Sequence, residues 1–340
     1  MDNKRWIGLV LAVLIFVVST LIPSFKTEEE EKLMDDFVSQ LGLPGYMAGP
    51  GGVEEIIREG DKNKRVMVVT LEGTIAQNAP YGPGYTHEDL LDQLKTAQED
   101  ETVEAVLFVL NTGGGTIFES EEIRQEVLAL KDLGKPVYAS MRNMTASGGY
   151  YIASQADKIF AYPDTVTGSI GVVMQSIDTT GLQKKLGVEV KDYTAGQLKR
   201  VDKASEKEAV EKQDKVYQDY VNEGYDRFTK IVAEGREMDI KKVKEIADGR
   251  IYTATQALEL DLIDKLGSTD EALDALIEDS DLGSPQVFHY VYNPNLGLPG
   301  FMSLLGKKSD LDMAKDLLSN SHKSAPQAYY IYGGVNNGQE

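Results

Sequence analysis

Ser147 stands in the stretch NMTASGGYYIAS (143–154), ahead of two glycines and a short helical pattern. A hydroxyl carried there is a candidate nucleophile, because the first amides of a helix place partial positive charge where a tetrahedral oxyanion would develop. Two further glycine-rich turns follow strand-like runs, NTGGGT (111–116) and TGSIG (167–171). Glycine lets backbone amides approach a reacting carbonyl and adopt positive φ, so turns of this kind aimed into one cleft make an oxyanion hole. On spacing alone, ordinary strand-to-helix connections explain them equally well.

A serine hydroxyl needs a base. The chain has no cysteine, and its three histidines, His87, His289 and His322, lie far from Ser147 in sequence. Their surroundings read as a loop, a strand and a polar tail. Lysine is the economical alternative, provided it is held neutral. A free lysine pKa of about 10.4 must fall by roughly three units, about 4 to 5 kcal/mol, which desolvation or a cationic neighbour can supply. In YTAGQLKRVDKAS both Lys199 and Lys203 qualify, and the residues alone leave both open.

These residues need a scaffold. RVMVVTLEG (65–73), VEAVLFVLN (103–111), PVYASM (136–141) and KIFAYP (158–163) are short apolar runs bounded by turn residues, the pattern of buried strands. Between them, 87–98 and 119–133 carry leucine, isoleucine and valine at helical spacing. Strand alternating with helix predicts an α/β fold with a largely parallel sheet. A longer helix is expected from Ser205, which forms a capping box with Glu208, to about Gly235, with Val216, Tyr217, Tyr220, Gly224, Phe228 and Ile231 along one stripe. That stripe reads as core or subunit interface.

With 340 residues and 41% apolar side chains, the chain can bury a sizeable core. Its formal charge of −20 disfavours nucleic acid and anionic lipid as partners. Without cysteine there is no thiolate metal site, and neither a metal nor a cofactor is expected. From Trp6 to Phe25 the chain is uncharged and mostly Val, Leu and Ile, long enough to span a bilayer. Lys4 and Arg5 precede this run and Glu28 to Glu31 follow it, so the amino terminus is expected in the cytoplasm and the remainder outside, with the anchor uncleaved. The expected organisation is an anchor (1–25), an acidic and Gly/Pro-rich stalk (26–64), a catalytic domain (65–270) and a carboxyl-terminal extension (271–340). In that extension Pro285 to Asn293 reads as a strand, 297–306 as an apolar packing segment and 311–318 as a short helix. Ala328 to Tyr332 form an apolar strand in a polar tail, chemically similar to a peptide substrate and expected to enter the substrate groove.

NMTASGGYYIASQADKIFAYPDTVTGSIGVV, with NTGGGTIFESEEI upstream and ADGRIYTATQALELDLIDKLG downstream, resembles the signal peptide peptidase A family of membrane-anchored serine peptidases. The resemblance covers roughly residues 65 to 270. It implies the crotonase and Clp protease fold, a Ser/Lys dyad acting on apolar peptides such as signal-peptide remnants, and, for a half-length member, a homo-oligomeric ring, by family an octamer with the dyad shared between subunits. Position by position, it implies Ser147 as nucleophile, Lys199 as general base, Ser169 as the hydroxyl that orients the lysine, and Gly114 and Gly148 as oxyanion donors. The family usually reads N-S-P-G-G-G where this chain has Asn111-Thr112-Gly113-Gly114-Gly115-Thr116, so Gly113 and Gly115 stay open as alternatives to Gly114. Two competing classes are an acyl-CoA hydratase or hydrolase on the same fold, which an exported domain would deprive of coenzyme A, and a non-catalytic membrane scaffold, which would have no use for the serine and lysine.

Overall fold

A computed structural model describes residues 53–77, 86–201, 207–291 and 328–331. The expected anchor, most of the stalk, Ser205 with its capping box, Lys203, His322, the apolar segment 297–306 and the helix expected at 311–318 lie outside the described residues. No helix among the described residues is long and apolar enough to cross a membrane.

The elements run β1 (Val53–Arg58), β2 (Asp61–Glu72), α1 (His87–Glu99), β3 (Val103–Thr112), β4 (Gly114–Thr116), α2 (Ile117–Asp132), β5 (Val137–Ala146), α3 (Gly148–Ala153), β6 (Lys158–Ala161), β7 (Val166–Gly168) and β8 (Val173–Met174). There follow α4 (Thr180–Lys185), α5 (Lys207–Gly235), α6 (Ile240–Ile246), β9 (Ile251–Thr253), α7 (Ala254–Glu259), β10 (Lys265–Leu266), α8 (Thr269–Asp279), β11 (Pro285–Val291) and β12 (Ala328–Ile331). The main sheet has the order β1-β11-β2-β3-β5-β6-β10. From β11 to β10 every neighbouring pair is parallel; the edge strand β1 pairs antiparallel with β11, and off this path β7 pairs parallel with β5 and antiparallel with β9. This is the α/β alternation the sequence predicts.

The central strands carry apolar runs, such as Val66 to Val69 in β2 and Ala105 to Leu110 in β3, because both faces are covered there. Along β2, Met67, Val69 and Leu71 join a core with Leu90 and Leu94 of α1, Ile123, Val127 and Leu130 of α2, and Phe228 of α5. Val66 and Val68 point the other way, into a second cluster closed by Leu273, Leu276 and Ile277 of α8. That helix starts at a reciprocal cap in which Ser268 and Glu271 satisfy each other's backbone amides.

Three boundaries differ from expectation. The stretch assigned to the stalk already contains β1, and β2 begins at Asp61 rather than Arg65. The glutamates in VEEIIR and a bulge between Ile56 and Arg58 hide the alternation of an edge strand whose outer face meets solvent. Residue 270 does not separate domains either: α8 closes the second core cluster, and β11 lies between β1 and β2. Finally β12, 36 residues beyond β11, sits in a small second sheet of order β4-β12-β8. The tail anticipated as a groove strand thus pairs antiparallel with β4, Tyr330 opposite Gly115 and Ile331 opposite Gly114.

Candidate active site

The turn at Ser147 arises because β5 changes partners. Val137's half of the strand, as far as Met141, pairs with β6, whereas Met144 to Ala146 pair with β7. Asn111 spans the opening between the two halves: its Oδ1 accepts from Met144 N at 3.3 Å and its Nδ2 donates to Glu72 Oε1 at 3.1 Å. Beyond Ala146 the chain reverses into α3 at Ser147.

Ser147 has φ 54° and ψ −118°, a conformation that costs a residue with a Cβ about 1 to 3 kcal/mol. The fold imposes it at both ends, since Ser147 N donates to Gly168 O at 2.8 Å and its carbonyl accepts Tyr151 N at 2.8 Å in the first turn of α3. The side chain is fully buried, and its Oγ has no hydrogen-bond partner. Ser169 is the second strained serine, with φ 50° and 7% exposure. Its amide donates to Arg250 O at 2.8 Å. Because Ala146 is registered against Gly168, the two serines follow directly from paired strand ends.

Gly148 opens α3, so helix geometry leaves its amide without an intrahelical partner. Gly114 has φ 96°, which favours glycine, and its amide donates to Thr112 Oγ1 at 3.0 Å. One edge of β4 is filled by Ile75, whose N donates to Gly114 O at 3.0 Å and whose O accepts Thr116 N at 2.9 Å. A Cβ on Gly115 would lie 1.8 Å from Ile75 O, so only glycine permits this approach. The other edge of β4 carries β12. Glu119 secures the arrangement by accepting from Thr116 Oγ1 and from Gln77 N.

Lys199 is not brought to Ser147 within one chain, since Ser147 Oγ is bonded to nothing and Lys199 is exposed. It lies on a projecting segment whose apolar side chains are also bare, among them Ile177 at 83% and Tyr193 at 95% exposure. Among the described residues no histidine is bonded to Ser147. His87 is buried at the start of α1, a helix rather than a loop, with its Nε2 3.0 Å from Glu122 Oε2, and His289 faces Glu55 across β11 and β1.

Behind Ser147, Tyr151 of α3 donates its hydroxyl to Glu121 of α2, and Arg124 donates Nε and Nη2 to the same carboxylate at 2.9 and 2.8 Å. Burial opposes ionisation of Glu121, but the hydrogen bonds from Arg124, Tyr151 and Gln125 outweigh it and hold its pKa at about 2. Thr112, Ile75 and this Tyr151–Glu121 link escaped the sequence reading. Nothing in a turn pattern shows which carbonyl or carboxylate of a distant segment will meet it. Among the described residues no group of three or more His, Asp and Glu side chains could hold a metal ion.

The family model for peptidase family S49 matches residues 129–283, which include Ser147, Ser169 and Lys199. A putative signal peptide peptidase SppA from Enterococcus faecium is 35% identical over 350 residues, covering 98% of this chain and all of the relative. Protease 4 of Haemophilus influenzae is 37% identical over 209 residues, 62% of this chain but only 34% of that protein. The chloroplastic serine protease SPPA of Arabidopsis thaliana is 27% identical over 296 residues, 85% of this chain and 42% of its own length. Among solved structures, a ClpP1 mutant from Listeria monocytogenes aligns at TM-score 0.38 and 16% identity, over 61% of this chain and 94% of that one. Matched from end to end by the enterococcal relative, with the strained serine inside the S49 region, the chain belongs to the SppA family and is a serine peptidase of family S49.

Proposed function

We propose that the chain is a membrane-anchored endopeptidase that cleaves apolar peptides such as signal-peptide remnants outside the cytoplasm, using Ser147 of one copy and Lys199 of a neighbouring copy. The observation that carries this reading is the Ser147 hydroxyl: fully buried, without a hydrogen-bond partner, and held at positive φ at the head of α3. A fold spends strain and an unsatisfied buried polar group on a site that something else completes.

The peptide pairs with the edge of β4 that β12 occupies, displacing that strand, and its scissile carbonyl reaches Ser147. Oγ attacks the carbonyl carbon while neutral Lys199 Nζ takes its proton. Gly148 N and Gly114 N receive the oxyanion, the former with the help of the amides that open α3. Collapse of the tetrahedral intermediate breaks the C–N bond as Lys199 returns the proton to the leaving amine, and water then releases the acyl group by the same route. Ser169, which follows the strand end paired to the nucleophile's own, orients the lysine. Exposure of Lys199 in the single chain supports sharing between copies, because a lysine base must be desolvated. The apolar run 6–25 supports the anchor, and the match to SppA supports the substrate class.

A fluorophosphonate probe tests the reading on the full chain. It is expected to label Ser147 in the wild type, and Ser147→Ala is expected to lose both label and peptide hydrolysis, the latter by roughly three orders of magnitude or more. Turnover by a correctly folded Ser147→Ala protein would remove Ser147 from the mechanism.

A further inference from the structure

We infer that Thr112 is a positioning residue that holds the Gly114 amide out of the oxyanion site until a substrate carbonyl claims it. This rests on the reading of Ser147 as nucleophile and Gly114 as oxyanion donor. Thr112 is the last residue of β3 and is 2% exposed. Its Oγ1 accepts Gly114 N–H at 3.0 Å, and its own proton has only a distant partner, Gly114 O at 3.5 Å. An amide has a single proton, so while Thr112 holds it the oxyanion site lacks that donor.

The orientation of Thr112 is set by the nucleophile helix. A Cβ at Gly149 would lie 2.6 Å from Thr112 Cγ2, so the methyl is seated against the α3 backbone two residues past Ser147. A β-branched side chain has few χ1 choices, and with its methyl fixed the hydroxyl is fixed as well. Thr112 is also registered directly opposite Thr145 in β5, whose Oγ1 donates to Leu110 O at 2.9 Å, and Thr167 Oγ1 donates in turn to Thr145 O at 2.6 Å. The other two threonine hydroxyls of this buried row tie neighbouring strands together. Thr112 alone spends its acceptor on the amide of the glycine turn.

Such a contact satisfies a buried N–H in the resting enzyme, where an unmade hydrogen bond would be costly. A neutral substrate carbonyl is no better acceptor than a hydroxyl, whereas an oxyanion forms a charge-assisted bond roughly twice as strong. The amide therefore passes to the substrate fully only as charge develops. Removing the hydroxyl leaves the free enzyme's amide unsatisfied and lets the ground-state carbonyl take it at once.

The signature is a split between KM and kcat, measured on the full chain with a fluorogenic apolar peptide. Thr112→Val keeps the side-chain shape and loses the acceptor. It is expected to lower KM about two- to tenfold, with kcat within about twofold of wild type. The Ki of a peptide aldehyde, whose hemiacetal with Ser147 Oγ carries the oxyanion, is expected to fall by the same factor. Thr112→Ser restores the acceptor and is expected to return KM toward the wild-type value. Thr112→Ala is the second variant, with the same direction expected should valine not fold. An unchanged or raised KM in the valine or alanine variant, or a loss in kcat at constant KM, overturns the proposal. Failure of the underlying reading shows separately, as wild-type protein that a fluorophosphonate does not label at Ser147, and sinks both.

Discussion

At Ser147 the proposed function and stability pull against each other. Alanine carries the same Cβ and inherits the same strain at φ 54°, but it removes a buried hydroxyl that has no partner. Ser147→Ala is therefore expected to be more stable than wild type by about 1 to 3 kcal/mol, and Ser147→Gly more stable still through relief of the positive φ, read as a rise in thermal midpoint. Gly113 offers a contrasting case. It is not among the positive-φ glycines, and a Cβ there would meet only Met144 Sδ, at 3.4 Å. Gly113→Ala should fold with unchanged or slightly raised stability, up to about 1 kcal/mol in denaturant titrations. The turn around Ser147 was legible in the sequence because small residues before a helix announce a sharp backbone. The deed of Thr112 was not, because a side chain's choice between solvent and a neighbouring amide depends on what packs against its methyl.

At the scale of elements, the parallel strands and their helices were readable from apolar runs and turn residues, since double-sided burial leaves the run Ala105 to Leu110 of β3 wholly apolar. Edge strands were not. In β1 the glutamates face solvent, and the partner strand comes from more than 200 residues away, so no local pattern marks the pairing. The long helix was placed correctly over its described residues, Lys207 to Gly235, and ends at Gly235 as expected. The link between α2 and α3 carries a prediction of its own. Tyr151→Phe removes one of the bonds holding the Glu121 carboxylate and should cost about 1.5 to 3 kcal/mol at neutral pH. Glu121 has a depressed pKa in the folded protein, about 2, so the stability it contributes is complete above its unfolded value near 4.5 and lost as pH falls through 2. The deficit of Tyr151→Phe should accordingly shrink as the pH of the unfolding titration is lowered across that window. A deficit that stays constant would mean that the cost of losing the hydroxyl does not run through the Glu121 carboxylate.

For the whole molecule, no lysine or histidine among the described residues bonds to Ser147, and Lys199, the base of the proposed mechanism, is exposed. Ser147→Ala and Lys199→Ala proteins, each inactive alone, are therefore expected to regain activity when unfolded together and reassembled, at roughly a quarter of sites for equal input to a ring. Co-assembled mixtures that stay inactive would place both groups in one chain. The assembly was implied only by family resemblance, because no periodicity in a sequence tells whether an exposed apolar segment such as 177–193 meets another copy. The strand β12 adds a consequence of a different kind. A strand supplied by the enzyme's own chain occupies the β4 edge; on the proposed reading, in which the substrate pairs there, it acts as a tethered competitive inhibitor at an effective concentration on the order of millimolar rather than at its bulk concentration. Every peptide that uses this edge must first displace it. The apparent KM of the full chain then exceeds the intrinsic value by one plus the ratio of that effective concentration to the tail's own dissociation constant. A chain ending at residue 327 should show a lower KM at unchanged kcat, and an enzyme that trims its own carboxyl terminus would lift its own inhibition in proportion to the turnovers it has already performed.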